Sequence, residues 1–415
     1  MAQAKRARHS SNGASSCIPP AIHGFELAEE KVIELPASIG AVTAMSAWPA
    51  CESPNCTAGF NARTQSAVND PPNAKCTVFA VGTNLGCIAL VYSDESTAVL
   101  ENSDSSAVLQ LLAKDSSAPA AAGTETKPVP DVVAGDADGQ VLVYVLGRVF
   151  SRNTLPAPIS ALSADLNPNT PSSFSVGDMG GTIASCHAQD TLWRAQLDVD
   201  SQAPPVVPNG ADQRTAARSL DYAVNSTCSV WLPDKHGLLT SYVLVASARG
   251  FIQLLSRGMP IHTIPLPTPC NAMCPGIFTG SGVAGASLAS SKTQAIIGDE
   301  AGRLLVLEDF ELAPYAQVDY PITRVFSMPL RTFVEREGPD VVICATRSDT
   351  IYILHQRQVV ATYSAAFWPA AIDIVAYFPG VGPALALVKS DAQADKDGSG
   401  SLHVISLRPL LDIVS

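Results

Sequence analysis

Charge is scarce in this chain, and basic charge scarcer still. Asp, Glu, Lys and Arg make up 15% of the 415 residues, with 26 basic against 38 acidic, a net charge of −12. Phosphate backbones need a basic face, so this balance argues against a nucleic-acid partner. The one basic cluster, Lys5-Arg6-Ala7-Arg8-His9, lies in a Ser/Ala-rich stretch, and residues 1–24 are expected to form a disordered, solvated tail rather than a localisation signal. Long apolar runs are also missing. Nothing approaches the roughly 20 residues of a membrane-spanning helix, and no charged head with an apolar core starts the chain. A soluble, cytoplasmic protein without direct membrane insertion is the expectation.

Paired cysteines are absent. The ten cysteines stand at 17, 51, 56, 76, 87, 186, 228, 270, 274 and 344, with no CxxC among them and no histidine at finger-like spacing. Free, mostly buried thiols are expected. The sequons Asn55-Cys56-Thr57 and Asn225-Ser226-Thr227 are taken as chance. Aromatics are only 6% of the chain, and its tryptophans at 48, 193, 231 and 368 look too separated for a stacking surface. Sustained helical periodicity is lacking, while 31 prolines and 28 glycines punctuate the chain throughout. Catalytic signatures are missing as well: there is no GxSxG elbow, HExxH or P-loop, and the seven histidines (9, 23, 187, 236, 262, 355, 403) are scattered singly. No catalytic, cofactor-binding, metal-binding or partner-binding residue is nominated, and no enzymatic activity is expected.

What the chain does contain is a recurring hairpin. Val132-Val133-Ala134-Gly135-Asp136-Ala137-Asp138-Gly139-Gln140-Val141-Leu142-Val143-Tyr144 is the clearest copy, and versions recur around Gly177-Asp178, Gly298-Asp299, Ser247-Ala248-Arg249-Gly250 and Gly82-Thr83-Asn84. Each is an apolar run, a Gly/Asp turn and an alternating run, the pattern of a β-hairpin. The turns fall at Gly86, Gly139, Gly181, Gly250 and Gly302, with degenerate counterparts at Asp349 and Gly400, in steps of 53, 42, 69, 52, 47 and 51 residues. Propeller blades repeat at about 40–50 residues, and four strands account for that period. Seven hairpins therefore predict a seven-bladed, all-β propeller over residues 25–410, followed by a short tail at 411–415. The step of 69 requires a long loop, offered by the proline-rich stretch 198–217. A strand at 31–35 has no hairpin before it, and one at 402–407 has no outer strand after it. The two are expected to pair and close the ring.

Two segments look like calcium loops: Asp136-Ala137-Asp138-Gly139, and the cluster of Asp391, Asp395, Asp397 and Ser399. Calcium takes six to eight oxygens. Turn sterics and solvation account for both segments, so no metal effect is expected. Low-complexity stretches at 53–73, 116–129, 198–217, 276–291 and 392–400 are read as tolerated insertions.

Asp131-Val132-Val133-Ala134-Gly135-Asp136 and Gly338-Pro339-Asp340-Val341-Val342-Ile343-Cys344-Ala345 resemble the second half of FG-GAP repeats, the blade units of integrin-α-type propellers. The acidic first half of the repeat is missing before both. The run from Ala316 through Asp340-Val341-Val342-Ile343-Cys344-Ala345, Thr350-Ile351-Tyr352-Ile353-Leu354-His355 and Val359-Val360-Ala361 is similar to the integrin-alpha FG-GAP repeat-containing family that supplies the propeller subunit of the KICSTOR complex. The likeness covers 294–378 well and 76–294 in patches. It implies a non-catalytic scaffold at the lysosomal membrane. Its partners would be a kaptin-like propeller, a large scaffold protein and the GATOR assembly, and its role to restrain TOR complex 1 under nutrient shortage. The alternative is an interaction propeller of a ciliary or vesicle-trafficking coat.

Overall fold

The computed structural model describes residues 27, 29–50, 76–100, 106–114, 129–165, 173–187, 189–197, 222–279, 292–333, 338–389 and 400–410. They form seven four-stranded antiparallel sheets. In chain order, β1 (Glu29–Glu34) belongs to the last sheet, and blade 1 holds β2 (Val42–Ala50), β3 (Cys76–Thr83), β4 (Ile88–Tyr92) and β5 (Thr97–Val99). Blade 2 holds β6 (Val108–Lys114), β7 (Asp131–Asp136), β8 (Gln140–Val145) and β9 (Arg148–Thr154). Blade 3 holds β10 (Ile159–Ala164), β11 (Ser173–Asp178), β12 (Thr182–His187) and β13 (Asp190–Gln196). Blade 4 holds β14 (Val224–Pro233), β15 (Leu239–Ser247), β16 (Phe251–Ser256) and β17 (Met259–Pro265). Blade 5 holds β18 (Cys270–Gly276), β19 (Gln294–Asp299), β20 (Arg303–Glu308) and β21 (Glu311–Gln317). Blade 6 holds β22 (Ile322–Met328), β23 (Val341–Thr346), β24 (Thr350–His355) and β25 (Gln358–Ser364). Blade 7 is ordered β26 (Pro369–Phe378), β27 (Gly382–Lys389), β28 (Ser401–Ser406) and then β1. The innermost strands β2, β6, β10, β14, β18, β22 and β26 contact one another in a closed ring.

The expected closure is observed. Val32 pairs with His403 and Ile33 with Leu402, and Ile33 is buried at 1% exposure. His403 clasps the seam: its Nδ1 lies 2.6 Å from Glu29 Oε2 and its Nε2 2.8 Å from Ser401 Oγ. The phenyl ring of Phe367 packs 4.6 Å from its imidazole.

The Gly-Asp signature has two physical causes. At Gly135 a Cβ would strike Ile159 of the next blade, and at Gly298 it would come within 2.5 Å of Ile322, so the residue's absent side chain lets neighbouring blades meet. The following Asp builds the turn: Asp136 Oδ1 accepts from Asp138 N (2.9 Å) and Gln140 N (2.8 Å). Asp178 and Asp299 do the same in their own turns. At Gly302 φ is +77° and a Cβ would lie 2.5 Å from Val318 O; its own carbonyl receives Val318 N at 2.9 Å, tying the turn to the end of the outer strand.

Three details depart from the sequence expectation. The 69-residue step holds no further described blade, and part of its length goes into a longer first hairpin in blade 4, where β14 and β15 run ten and nine residues. The stretch read as a loop from 276 begins later: Gly276 ends β18, and buried Phe278 packs edge-on against Tyr315 at 6.2 Å, which gives these residues core to fill. Trp193 and Trp231 line one cavity although they lie far apart in sequence. The tail at 1–24, the tail at 411–415, and the low-complexity stretches at 53–73 and 198–217 lie outside the described residues, as do most of the other three. No helix among the described residues is long and apolar enough to cross a membrane.

Candidate functional site at the channel mouth

An internal repeat supplies its own reference: seven blades place seven residues at each equivalent position. Turns between the second and third strands, and links into each inner strand, lie at one end of the ring, here called the upper face.

The residues immediately before the inner strands are Ala41, Ala107, Pro158, Ala223, Pro269, Pro321 and Trp368. In six blades this residue's carbonyl receives a turn N–H, as from Met179 to Pro158 (2.9 Å) and from Arg347 to Pro321 (2.7 Å). These six are small or cyclic. The seventh is Trp368, which is 70% exposed.

Each inner strand then carries a bulge after its first residue, leaving Thr43, Leu109, Ser160, Asn225, Asn271, Thr323 and Ala370 as the extra residues. Four of these side chains stitch their blade to the next. Thr43 donates to Val108 O, Ser160 to Val224 O (2.6 Å), Asn225 to Cys270 O (3.0 Å) and Asn271 to Ile322 O (3.1 Å). In blade 2 the neighbouring Gln110 performs this role through Ser160 O at 3.0 Å. At blade 6 the stitching stops. Thr323 turns to Ala345 O of its own blade at 3.2 Å, and Ala370 has no donor to offer.

The next position reads Ala44, Gln110, Ala161, Ser226, Ala272, Arg324 and Ala371. Arg324 is a long cation where five blades carry Ala or Ser. Its side chain remains open to solvent inside a crowded ring, which places it in the channel. Burial among neighbours lowers its pKa, and Asp373 opposes that effect.

Asp373 occupies a position that is Ser46, Leu112, Ser163, Cys228, Cys274 or Phe326 in other blades. Its Oδ2 accepts Ala47 N of blade 1 at 2.7 Å, as Ser46 Oγ accepts Ala113 N of blade 2 at 3.0 Å. Its Oδ1 accepts Ile374 N at 2.8 Å. Desolvation pushes this carboxyl up to about 6, against the pull of those two N–H groups and of Arg324. Arg324, Trp368 and Asp373 thus depart from the repeat around the upper channel mouth, Arg324 and Trp368 on the adjacent blades 6 and 7 and Asp373 one row further in, against blade 1. Tyr320, 45% exposed in the link before β22, flanks the mouth.

Asp136 and Asp138 share a turn in which Asp136 Oδ1 is committed to backbone donors, and burial raises the Asp136 pKa. No group of three potential metal ligands occurs among the described residues. Asp391, Asp395, Asp397 and Ser399 lie outside them. Cys186, Cys228, Cys270, Cys274 and Cys344 are free and buried, and Cys87 is free and partly buried. Asn225 of the second sequon sits within β14 and donates to the next blade. Comparing blades residue by residue would have singled out Trp368 from sequence, once each inner strand's start was fixed.

No family model and no curated protein matches the chain. Among solved structures, the fold is similar to BBS1N in complex with ARL6DN, soaked with lead: 11% identity, 89% of this chain and 97% of that one covered, TM-score 0.54. The mercury-soaked form gives 10% identity, 89% and 98% coverage and 0.53. The WD40 beta propeller domain of Doa1 gives 9% identity, 91% and 96% coverage and 0.54. At these identities the likeness concerns the fold.

Proposed function

We propose that this chain is a non-catalytic interaction propeller, one subunit of a hetero-complex, that docks a protein partner over the channel mouth between blades 6 and 7. The observation that carries this is the convergence there of the repeat's outliers. Trp, Tyr and Arg are the residues that most often dominate binding energy at protein interfaces; Trp368 and Arg324 stand exposed on adjacent blades where the other blades carry mostly small or cyclic residues, and exposed Tyr320 lies in the link that leads into the strand of Arg324.

For the assembly, the FG-GAP resemblance favours a KICSTOR-like complex that recruits GATOR to lysosomes and restrains TOR complex 1. The stretch that carries it, 294–378, contains all four mouth residues. A ciliary or vesicle-trafficking coat is the second reading, favoured by the likeness to BBS1N, itself crystallised with a protein partner. Affinity purification from starved cells separates the two: kaptin-like and large scaffold partners support the first, coat subunits the second. The purification is repeated with Trp368→Ala and Arg324→Ala. Partners retained at wild-type level by both variants would remove the mouth as the docking face.

A further inference from the structure

At the opposite, lower end of the ring, blades 3 and 4 enclose a cavity of about 270 Å³ lined by Asp165, Trp193, Trp231, Leu239, Ser241 and Arg257, among others. The long first hairpin of blade 4 forms one wall. Asp234 N donates to Leu238 O at 2.8 Å, which fixes the phase of that hairpin. Counting from it, Thr240 turns its backbone groups toward Leu232, while Leu239 and Ser241 turn theirs to the far side. The same phase points the backbone of Trp231 outward on the other strand. There it meets Thr293, whose Oγ1 accepts Trp231 N at 2.6 Å and whose N donates to Trp231 O at 3.0 Å. Leu239 and Ser241 find no such neighbour, because β16 pairs with β15 only from Val243 onward. Among the described residues no strand runs beside them. Two backbone N–H and two C=O groups, spaced two residues apart, thus border a cavity.

The cavity's surroundings match an extended ligand. Leu238 and Met259 stand 66% exposed and Ile261 54% beside it, on the hairpin tip and on the outer strand whose preceding glycine, Gly258, abuts Trp193. The charges are separated. Asp165 is buried at the inner end with Ser173 Oγ on its carboxylate at 3.1 Å. Arg257 is exposed at the rim and has no carboxylate partner among the described residues.

We propose that this slot binds an extended peptide segment of a partner protein by β-strand addition to Leu239–Ser241 of β15. An aromatic or aliphatic side chain enters the cavity that Trp193 and Trp231 line, and a neighbouring acidic residue pairs with Arg257. Strand addition draws affinity from main-chain hydrogen bonds and specificity from alternate side chains. The unpaired period-two edge fits a peptide backbone, and the free Arg257 fits a carboxylate. The buried acid at the depth disfavours a second one there.

The test is selection of random twelve-residue peptides displayed on phage against the purified full chain. Enriched sequences are expected to share an apolar residue with an acidic one close by. Against the synthetic peptide, Arg257→Glu is expected to weaken binding by about tenfold or more, the scale of a charge-assisted hydrogen bond. N-methylation at alternate peptide positions should do the same, while methylation at the intervening positions leaves affinity unchanged. Hydrogen exchange at Ser241 should slow on binding. Trp193→Ala is a second variant, used with a melting curve to confirm folding. No enrichment, peptides that bind Arg257→Glu and folded Trp193→Ala as well as wild type, or indifference to the N-methylation pattern would overturn the proposal. Peptides that map to Trp368 instead would also overturn it, leaving the mouth as the docking face.

Discussion

The junction between blades 7 and 1 and the junction between blades 3 and 4 use equivalent strands with the same bulge, yet they hold together differently. At the first, seventeen buried apolar residues pack continuously, including Ile33, Leu35, Phe79, Phe378, Leu402 and Val404, with the rings of Phe79 and Phe378 6.2 Å apart. Polar ties reinforce it: Ala47 N to Asp373 and Thr77 Oγ1 to Tyr377 O at 2.8 Å. At the second, seven buried apolar residues suffice: Ala161, Ile183, Leu197, Val224, Val243, Val245 and Leu255. Beside them the hydroxyls of Ser175, Ser185 and Ser229 are buried without a hydrogen-bond partner, at a cost that buried polar groups rarely bear. The closure joins strands from opposite ends of the sequence and rests on this broad packing together with the β1–β28 ladder and its polar ties. Blades 3 and 4 are already neighbours along the chain, so their junction can be thin and keep a slot.

This contrast gives its largest predicted effect on truncating a core side chain. Ile33→Ala should lose stability toward the upper end of about 2–5 kcal/mol, and Leu255→Ala toward the lower end. Denaturant unfolding of both variants compares them, and equal losses would break the distinction. Next, Gly298→Ala pushes a Cβ onto Ile322 in a well-packed junction and should cost about 1–3 kcal/mol. Gly177→Ala meets Val224 at the same 2.5 Å, but should cost less because the thin junction can yield. Adding Ile322→Cys should recover part of the Gly298→Ala loss, since blades 4 and 5 already pair Ala246 with Cys270 at these positions.

The third prediction concerns pH. The Asp373 carboxyl titrates at about 6 in the fold, above the roughly 3.9 of an unfolded aspartate. The folded chain therefore holds the proton longer. The stability this adds is complete below about pH 4 and is lost as pH rises through about 6. Asp373→Asn retains an acceptor for Ala47 N–H and should flatten that fall in thermal melts taken from pH 4 to 7. An unchanged slope would show that Asp373 is not its source. The smallest effects belong to the serines. Ser175→Ala, Ser185→Ala and Ser229→Ala should each lie within about 0.5 kcal/mol of wild type or stabilise it, because each removes a hydroxyl that gains nothing by burial. Ser46→Ala removes the acceptor of Ala113 N and should cost about 1 kcal/mol.

The hairpins were legible because turn chemistry and period-two alternation are local. Gly139, Gly181, Gly250 and Gly302 sit at the second-to-third strand turns with positive φ, and Ile159–Ala164 is the inner strand expected there. The closure was legible as two missing partners that complete one blade. The mouth was not. Arg324 and Asp373 influence each other because adjacent blades turn successive rows of their inner strands to one channel, a relation with no fixed sequence spacing. Trp193 and Trp231 converge for a similar reason, one on an outer strand and the other on the next blade's inner strand. The thinness of the junction between blades 3 and 4 escaped because serines in a strand look the same whether they are solvated or buried.

The clasp of Glu29 on His403 also sets a timetable. Its two residues lie 374 positions apart, so at synthesis rates of about 5–20 residues per second β1 waits roughly 20–75 s for β28 to emerge. Six blades can each complete their own four strands meanwhile. The seventh cannot, and throughout that interval a strand carrying Ile33 remains unmated in the growing chain. Birth of the ring is therefore gated by its oldest strand, and a chaperone that shields residues 29–35 during translation should raise the yield of closed protein more than one acting after release.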